Sequence, residues 1–373
     1  MATCTPTRWR KPGCGSRASY NASRISPEYA PGPGARPPSD VQQVSQPRER
    51  KTRSARTRPR LLAFPVSLAD LGWKLAYLAV LSFGLPIRLL PYSGIRRLGR
   101  FFGGLSYYLP LGRRAIGRKH LDLAFGDTKS SHEKETILKN SLRNAGEVAL
   151  SSFWSARVTR KNAARYMRFV GRKYLHERVE AGEPYLALML HMGNWELAAV
   201  CSGFVGLPTN FVVHRLSNPY IDAYMADHRT RSGQGSIYHD EAARQILRTL
   251  KNKAPVTMVF DQNMRSGRGG IFVDFFGIPA ATTRAAAAVA LALDVRVYTV
   301  FTIPNFSNPS RYHDILTGPE IELQRTGDKQ KDIEENTRRF NAEVEKIIRT
   351  YPDHWLWTHR RFKSRPEGEP AFY

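Results

Sequence analysis

The sequence predicts an α/β fold: a mixed, mostly parallel sheet flanked by helices, with a membrane-associated helical segment ahead of it. Three observations predict it. From Tyr185 onward, short apolar runs alternate with longer stretches of helical character, the pattern of strands joined by crossover helices. Polar residues gather where those runs stop, at His191, His214 and Asp261, which is where open α/β sheets hold their ligands. The chain also changes character abruptly at Leu61, from a proline-rich basic stretch to a mainly apolar one.

With 373 residues, 42% of them hydrophobic, and with 18 Phe, 16 Tyr and 6 Trp, the chain can bury a substantial core. Its net charge of +25 is unevenly placed: residues 1–60 hold 13 Lys and Arg against 3 Asp and Glu, and residues 61–120 hold 9 against 1. The basic character therefore belongs to the first third, where it could meet an anionic membrane surface or another polyanion. Residues 1–60 also carry 9 of the 24 prolines with no hydrophobic period, and read as a disordered leader. They lack the charged-then-apolar form of a secretory signal. The cysteines, Cys4, Cys14 and Cys201, suggest neither a disulfide framework nor a metal site and fit a reducing, cytosol-facing setting.

Residues 61–120 read as a membrane-associated helical segment. Leu61 to Ile87 is mainly apolar, with Asp70 and Lys74 its only charges. Its longest charge-free part, Leu75 to Ile87, has 13 residues, short of the roughly 20 that span a bilayer. A tilted helix with snorkelling ends and an interfacial helix both remain open. Arg88, Arg96, Arg97, Arg100, Arg113, Arg114, Arg118 and Lys119 follow, interleaved with Phe101-Phe102 and Tyr107-Tyr108. That mixture suits a lipid surface; the ordinary alternative is a buried amphipathic helix pair with solvated arginines.

Residues 121–373 form the predicted catalytic domain. Ser131 to Ser155 reads as helix, with Glu133 and Glu135 near its start. Tyr185 to Leu190 is an uncharged, mostly apolar run with the length of a buried strand. It stops at His191. Gly193 then supplies a turn, Asn194 an N-cap, and Trp195 to Val200 the start of a helix that carries Glu196 in its first turn. Further on, strands are predicted at Phe211–Val213, Val256–Phe260 and Val295–Ile303. Helices are predicted at Asn218–Arg231, Asp240–Asn252, Thr283–Leu293 and Lys331–Thr350. The aromatic run Phe272 to Pro279 reads equally as a channel lining and as a core strand entering a turn at Gly277.

A histidine held by a carboxylate at the mouth of a sheet is a general-base device, and the turn can fold Glu196 back towards His191. The bland alternative, a boundary His near an unrelated Glu, is about as frequent. His214-Arg215 and Asp261-Gln262-Asn263, with Arg265 and Arg268, mark two further strand ends, and arginines there suit phosphate groups. Near the C-terminus, His354 to Lys363 joins Trp355 and Trp357 to a basic cluster that suits a membrane–water boundary, with His359 a weak catalytic candidate. There is no Gly-x-Ser-x-Gly elbow, no Walker A loop, no dinucleotide fingerprint and no His-Glu-x-x-His, so serine hydrolase, NTPase, nicotinamide and zinc-protease chemistries lose support. No metal or cofactor is called for. A His base without a serine nucleophile favours attack by a substrate hydroxyl.

His191-Met-Gly-Asn-Trp-Glu196, Arg215 with Asn218-Pro219, Asp261-Gln262-Asn263, Phe275-Phe276-Gly277 with Thr282-Thr283, and Trp355-Leu-Trp-Thr-His-Arg-Arg-Phe-Lys363 occur in this order. Together, over about residues 65–373, they resemble the bacterial late lipid A biosynthesis acyltransferases of the lauroyl/myristoyl transferase type. The resemblance implies a glycerolipid-acyltransferase-like fold at the cytoplasmic face of the inner membrane. It implies an acyl carrier protein or acyl-CoA thioester as donor and a lipid A precursor as acceptor. His191 and Glu196 are then expected as base and orienter, and Asn194, Arg215, Asn218, Asp261, Gln262 and Arg265 as substrate-binding. The chain has Glu196 where the wider glycerolipid acyltransferases usually have Asp, which keeps the carboxylate. Three rivals stand beside this reading: acylation of another glycolipid or lysophospholipid, a catalytically silent lipid-binding relative, and a basic nucleic-acid-binding protein. The charge map and the lack of any nucleic-acid motif count against the last.

Overall fold

A computed structural model describes residues 68–109, 112–170, 172–239, 242–265, 269–305 and 312–373. The leader at residues 1–60 and Arg268 lie outside the described residues. Helices α1 (Leu68–Leu89), α2 (Tyr92–Ser106), α3 (Arg113–Phe125) and α4 (Ser131–Trp154) come first. Helix α4 begins with a reciprocal capping box, the Ser130 hydroxyl accepting from the Glu133 N–H while the Glu133 side chain takes the Ser130 N–H. Helix α2 lies along α4 at close quarters: a Cβ on Gly103 would stand 2.2 Å from the Leu142 carbonyl oxygen, and one on Gly146 2.2 Å from that of Gly99.

The α/β part follows as α5 (Ala163–Tyr166), β1 (Met167–Val170), α6 (Arg172–Glu180), β2 (Tyr185–Met189), α7 (Trp195–Phe204), β3 (Asn210–Val213), α8 (Pro219–Arg231), β4 (Gly235–Tyr238), α9 (Ala242–Lys251) and β5 (Val256–Val259). It continues through β6 (Gly270–Phe275), β7 (Ile278–Thr283), α10 (Ala285–Leu293), β8 (Arg296–Pro304), β9 (His313–Glu320) and α11 (Lys329–Thr350). Among the described residues, seven strands form one sheet in the order β1-β9-β8-β2-β5-β3-β4. Neighbours are parallel except β8 and β9. The sheet is thus mixed and mostly parallel, with helices on its faces.

Strand β2 lies near the middle and is buried along its whole length, as expected for a strand covered on both sides. Leu186, Leu188 and Leu190 join the core beneath α9, α10 and α11, while Met189 packs with Leu197, Ala198 and Cys201 of α7 on the opposite side. Phe272 to Pro279 follows the strand reading: the run is a partly buried strand that enters a turn at Gly277. It forms most of a β6–β7 hairpin, whose turn residues Phe276 and Gly277 both take positive φ (54° and 84°), the geometry of a tight two-residue hairpin turn.

The first third of the chain has an uneven surface. Of the fourteen exposed large apolar side chains among the described residues, thirteen fall between Leu71 and Leu109, on and just after α1 and α2. No helix among the described residues is long and apolar enough to cross a membrane.

Candidate active site

Parallel pairing of β2 with β5 decides the geometry. The register sets Met189 beside Val259, and continuing it by two residues brings His191 opposite Asp261, each just past the carboxyl end of its strand. Asp261 Oδ1 takes the hydrogen bond of His191 Nδ1 at 2.8 Å, and Oδ2 accepts the His191 backbone N–H at 2.7 Å and the Trp355 indole N–H at 2.8 Å. The carboxylate is almost fully enclosed, and burial alone would raise its pKa. The His191 ring and these donors outweigh burial and hold it below the ordinary carboxylate value. An ionised Asp261 fixes the imidazole proton on Nδ1 and leaves the lone pair on Nε2, where the Gln262 side-chain nitrogen donates to it at 3.0 Å. Burial disfavours a charged His191 ring, but the Asp261 charge and hydrogen bond, with a smaller contribution from Glu196, raise its pKa overall.

The turn itself is braced from behind. Gly193 has φ 58°, and a Cβ there would lie 2.3 Å from the Thr302 carbonyl oxygen on β8, so only glycine fits. The Gly193 N–H donates to the His354 carbonyl and the Leu356 N–H to the His191 carbonyl, stitching the C-terminal segment alongside the catalytic turn. The Trp195 ring meets the His191 ring edge-on at 5.0 Å between centroids.

The remaining expected site residues are dispersed. Glu196 is half-buried in the first turn of α7 and makes no hydrogen bond to His191. The orienting position expected of it is held by Asp261, because strand pairing rather than proximity in sequence brings a carboxylate to Nδ1. Asn194, expected to touch substrate, is 1% exposed and works inward: its carbonyl caps α7 through the Leu197 N–H, and its amide reaches Tyr92 Oη at 3.1 Å and Ser151 Oγ at 2.8 Å. Asn218 likewise caps α8 and donates to the Trp73 carbonyl at 2.9 Å. Arg215 is exposed, its guanidinium 4.0 Å from the centroid of the Tyr238 ring, and Arg265 is also exposed.

The C-terminal cluster corrects another expectation. Trp355, Trp357 and Arg361 are at most 1% exposed, so they build the interior rather than a membrane boundary. Arg361 donates to the Ala281 carbonyl at 2.7 Å and to Thr282 Oγ1 at 2.6 Å. His359 Nε2 accepts the Asn263 N–H at 3.3 Å, and burial lowers its pKa to about 4. Sequence reasoning missed Trp355 as the third donor to Asp261 and the whole layer behind Asn194. In that layer Glu147 lies 3.0 Å from His313 Nε2, 3.6 Å from Arg96 and 3.8 Å from Arg100. The described residues contain no group of three His, Cys, Asp or Glu side chains able to hold a metal ion.

A family model described as bacterial lipid A biosynthesis acyltransferase matches residues 68–364. The chain belongs to this family. The chain is 27% identical over 296 residues to a lipid A biosynthesis acyltransferase of Haemophilus influenzae, covering 76% of this chain and 89% of that protein. It is 26% identical over 288 residues to the lipid A biosynthesis lauroyltransferase of Escherichia coli, covering 76% and 90%. It is 24% identical over 278 residues to the E. coli lipid A biosynthesis myristoyltransferase, covering 74% and 81%. The His191 turn, Asp261 and the buried Trp355 all lie within the matched region.

Proposed function

We propose that this lipid A acyltransferase family member moves an acyl chain from an acyl carrier protein or CoA thioester to a hydroxyl of a lipid A-type acceptor, with His191 as general base. One observation carries the reading: a His at a strand end whose Nδ1 is clamped by a buried carboxylate, which leaves Nε2 as the acceptor nitrogen, covered only by the Gln262 amide among its described partners. In the reaction, His191 Nε2 takes the acceptor's hydroxyl proton and the resulting oxygen attacks the thioester carbonyl. Asp261 keeps the ring in the reactive tautomer and, with Glu196, favours the imidazolium that forms. A general base of this kind contributes about 10²–10⁴-fold. The described partners of the His191 ring nitrogens are Asp261 and Gln262, with no serine, threonine or cysteine among them, which supports direct attack without an acyl-enzyme. Exposed Arg215 and Arg265, past the ends of β3 and β5, suit acceptor phosphates.

The enzyme would work at the cytoplasmic face of the inner membrane, and the exposed apolar side chains of α1 and α2, with neighbouring arginines, support contact with a lipid surface. The deciding experiment is mass spectrometry of lipid A from cells carrying wild-type or His191→Ala protein. Loss of one acyl chain's mass with a folded variant is expected; an unchanged lipid A profile would refute the assignment of His191.

A further inference from the structure

The lone pair of the base is occupied in the free protein. With its proton on Nδ1, neutral His191 can only accept at Nε2, and the Gln262 carboxamide donates to it at 3.0 Å. A hydroxyl that is to give its proton to Nε2 must take over that position. The amide then has to leave the nitrogen while remaining beside the oxygen that replaces it. Meanwhile three backbone donors of the catalytic turn are committed elsewhere. The His191 N–H is held by Asp261 at 2.7 Å, the Met192 N–H by the Leu190 carbonyl at 2.8 Å and the Gly193 N–H by the His354 carbonyl at 2.9 Å. Two residues past Asp261, the Asn263 N–H is on His359. The Gln262 amide, by contrast, already sits on the reacting nitrogen and is held there by a bond the acceptor must break.

We propose that the Gln262 carboxamide is the oxyanion donor of this enzyme, displaced from His191 by the acceptor hydroxyl and re-bonded to the thioester carbonyl oxygen. The inference rests on His191 being the base. As the hydroxyl proton passes to Nε2, the oxygen forms a bond to the thioester carbon and the carbonyl π pair moves onto its oxygen, where the amide N–H meets the new charge. Collapse restores the carbonyl and breaks the C–S bond, and the imidazolium returns its proton to the departing thiolate. Acyl ester and free thiol leave, and the Gln262 amide closes again over Nε2. Its hydrogen bond to substrate oxygen strengthens as charge develops, which is the condition for lowering the barrier rather than merely tightening binding.

The test uses full-length protein, a lauroyl thioester of acyl carrier protein as donor and a lipid A precursor as acceptor. Gln262→Leu is expected to lower kcat about 10²–10³-fold, the usual loss for one oxyanion donor. Acceptor KM should change little, and the acid limb of the pH profile should remain, because it belongs to His191. A Gln262→Leu enzyme with near-wild-type or faster turnover would overturn the proposal, since the amide would then be a mere cap on the base. A loss confined to KM would overturn it too, by making Gln262 a uniform binding group. Thermal unfolding monitors the fold. If the leucine variant unfolds, Gln262→Glu decides, because it keeps the shape but cannot donate when ionised, and full turnover by it is equally fatal. His191→Ala is assayed alongside: activity in that variant would bring down the base assignment itself. An inactive His191→Ala with an active Gln262→Leu would remove the present inference alone.

Discussion

Replacing Asp261 with Asn probes the most constrained group of the site. The carboxylate accepts three hydrogen bonds, two of them converging on Oδ2 from the His191 N–H and the Trp355 indole. An asparagine of the same shape has one acceptor atom. Two N–H donors converge on the Oδ2 position, so the amide oxygen must settle there and the NH2 must face Nδ1. An NH2 in that place demands a lone pair on Nδ1, which drives the imidazole proton to Nε2 and leaves the base nothing to offer a hydroxyl. The equivalent change in a serine-protease triad lowers kcat about 10⁴-fold for this tautomeric reason, and a loss of about 10³–10⁴-fold is expected here. Two of the three bonds persist, so the fold should survive at a cost of about 1–3 kcal/mol. Burial already disfavours charge on the His191 ring. Without the Asp261 charge that outweighs it, the ring's pKa should drop below its ordinary value near ~6.5. Initial rates of acyl transfer across pH, with ¹⁵N NMR of the ring, read both effects. Near-wild-type kcat with the proton still on Nδ1 would refute the reasoning.

In the wild-type enzyme the base must be neutral and its pKa is raised, so kcat/KM should climb with pH through an acid limb above the ordinary histidine value; an acid limb below it would contradict the Asp261 contact. The same raised pKa stabilises the fold at pH below the unfolded value, and that contribution is lost as pH rises through the folded pKa. Glu147→Gln should cost about 3–5 kcal/mol in denaturant unfolding, because burial of the carboxylate is offset by His313, Arg96 and Arg100, which would lose their counter-charge. Gly193→Ala should lose at least ~1–2 kcal/mol from the positive φ alone, and most activity, since its Cβ must push Thr302 or the His191 turn aside. A Phe101→Ser/Phe102→Ser double variant removes two side chains that are 63% and 54% exposed, so it should fold normally. At about 1.5–3 kcal/mol per buried Phe, it should also bind anionic phospholipid vesicles at least tenfold more weakly in flotation.

What the sequence disclosed and what it hid follow from the range of the forces involved. Apolar runs and helical stretches are local, so β2, α7, α8, β5 and α11 were legible to within a few residues, as was the Asn194 cap. The edge strand β1 and the antiparallel β9 were not. Their residues, such as Arg168 with Asp314, are stabilised by a cross-strand ion pair at 2.7 Å that no local pattern announces. The strand-end rule located both His191 and Asp261, yet the pairing of their side chains depends on β2 and β5 being neighbours, although α7, β3, α8, β4 and α9 intervene in sequence. Glu196, five positions from His191, looked the nearer carboxylate only because sequence distance stood in for space. The C-terminal tryptophans misled in the opposite direction. Indole beside arginine is the composition of an interface, but Trp355 spends its N–H on Asp261 and Trp357 its own on the Pro352 carbonyl, so both can be buried without an unsatisfied donor. The tail therefore acts on the chemistry from inside. Its indole holds the carboxylate that holds the histidine, and its backbone at His354 and Leu356 fixes the turn on which that histidine stands. A substitution in this segment should accordingly alter His191 without touching any substrate. Trp355→Phe, which deletes one donor to Asp261 and keeps the packing, should raise the Asp261 pKa and slow acyl transfer while leaving acceptor KM unchanged. A change in KM alone would place Trp355 at the substrate instead.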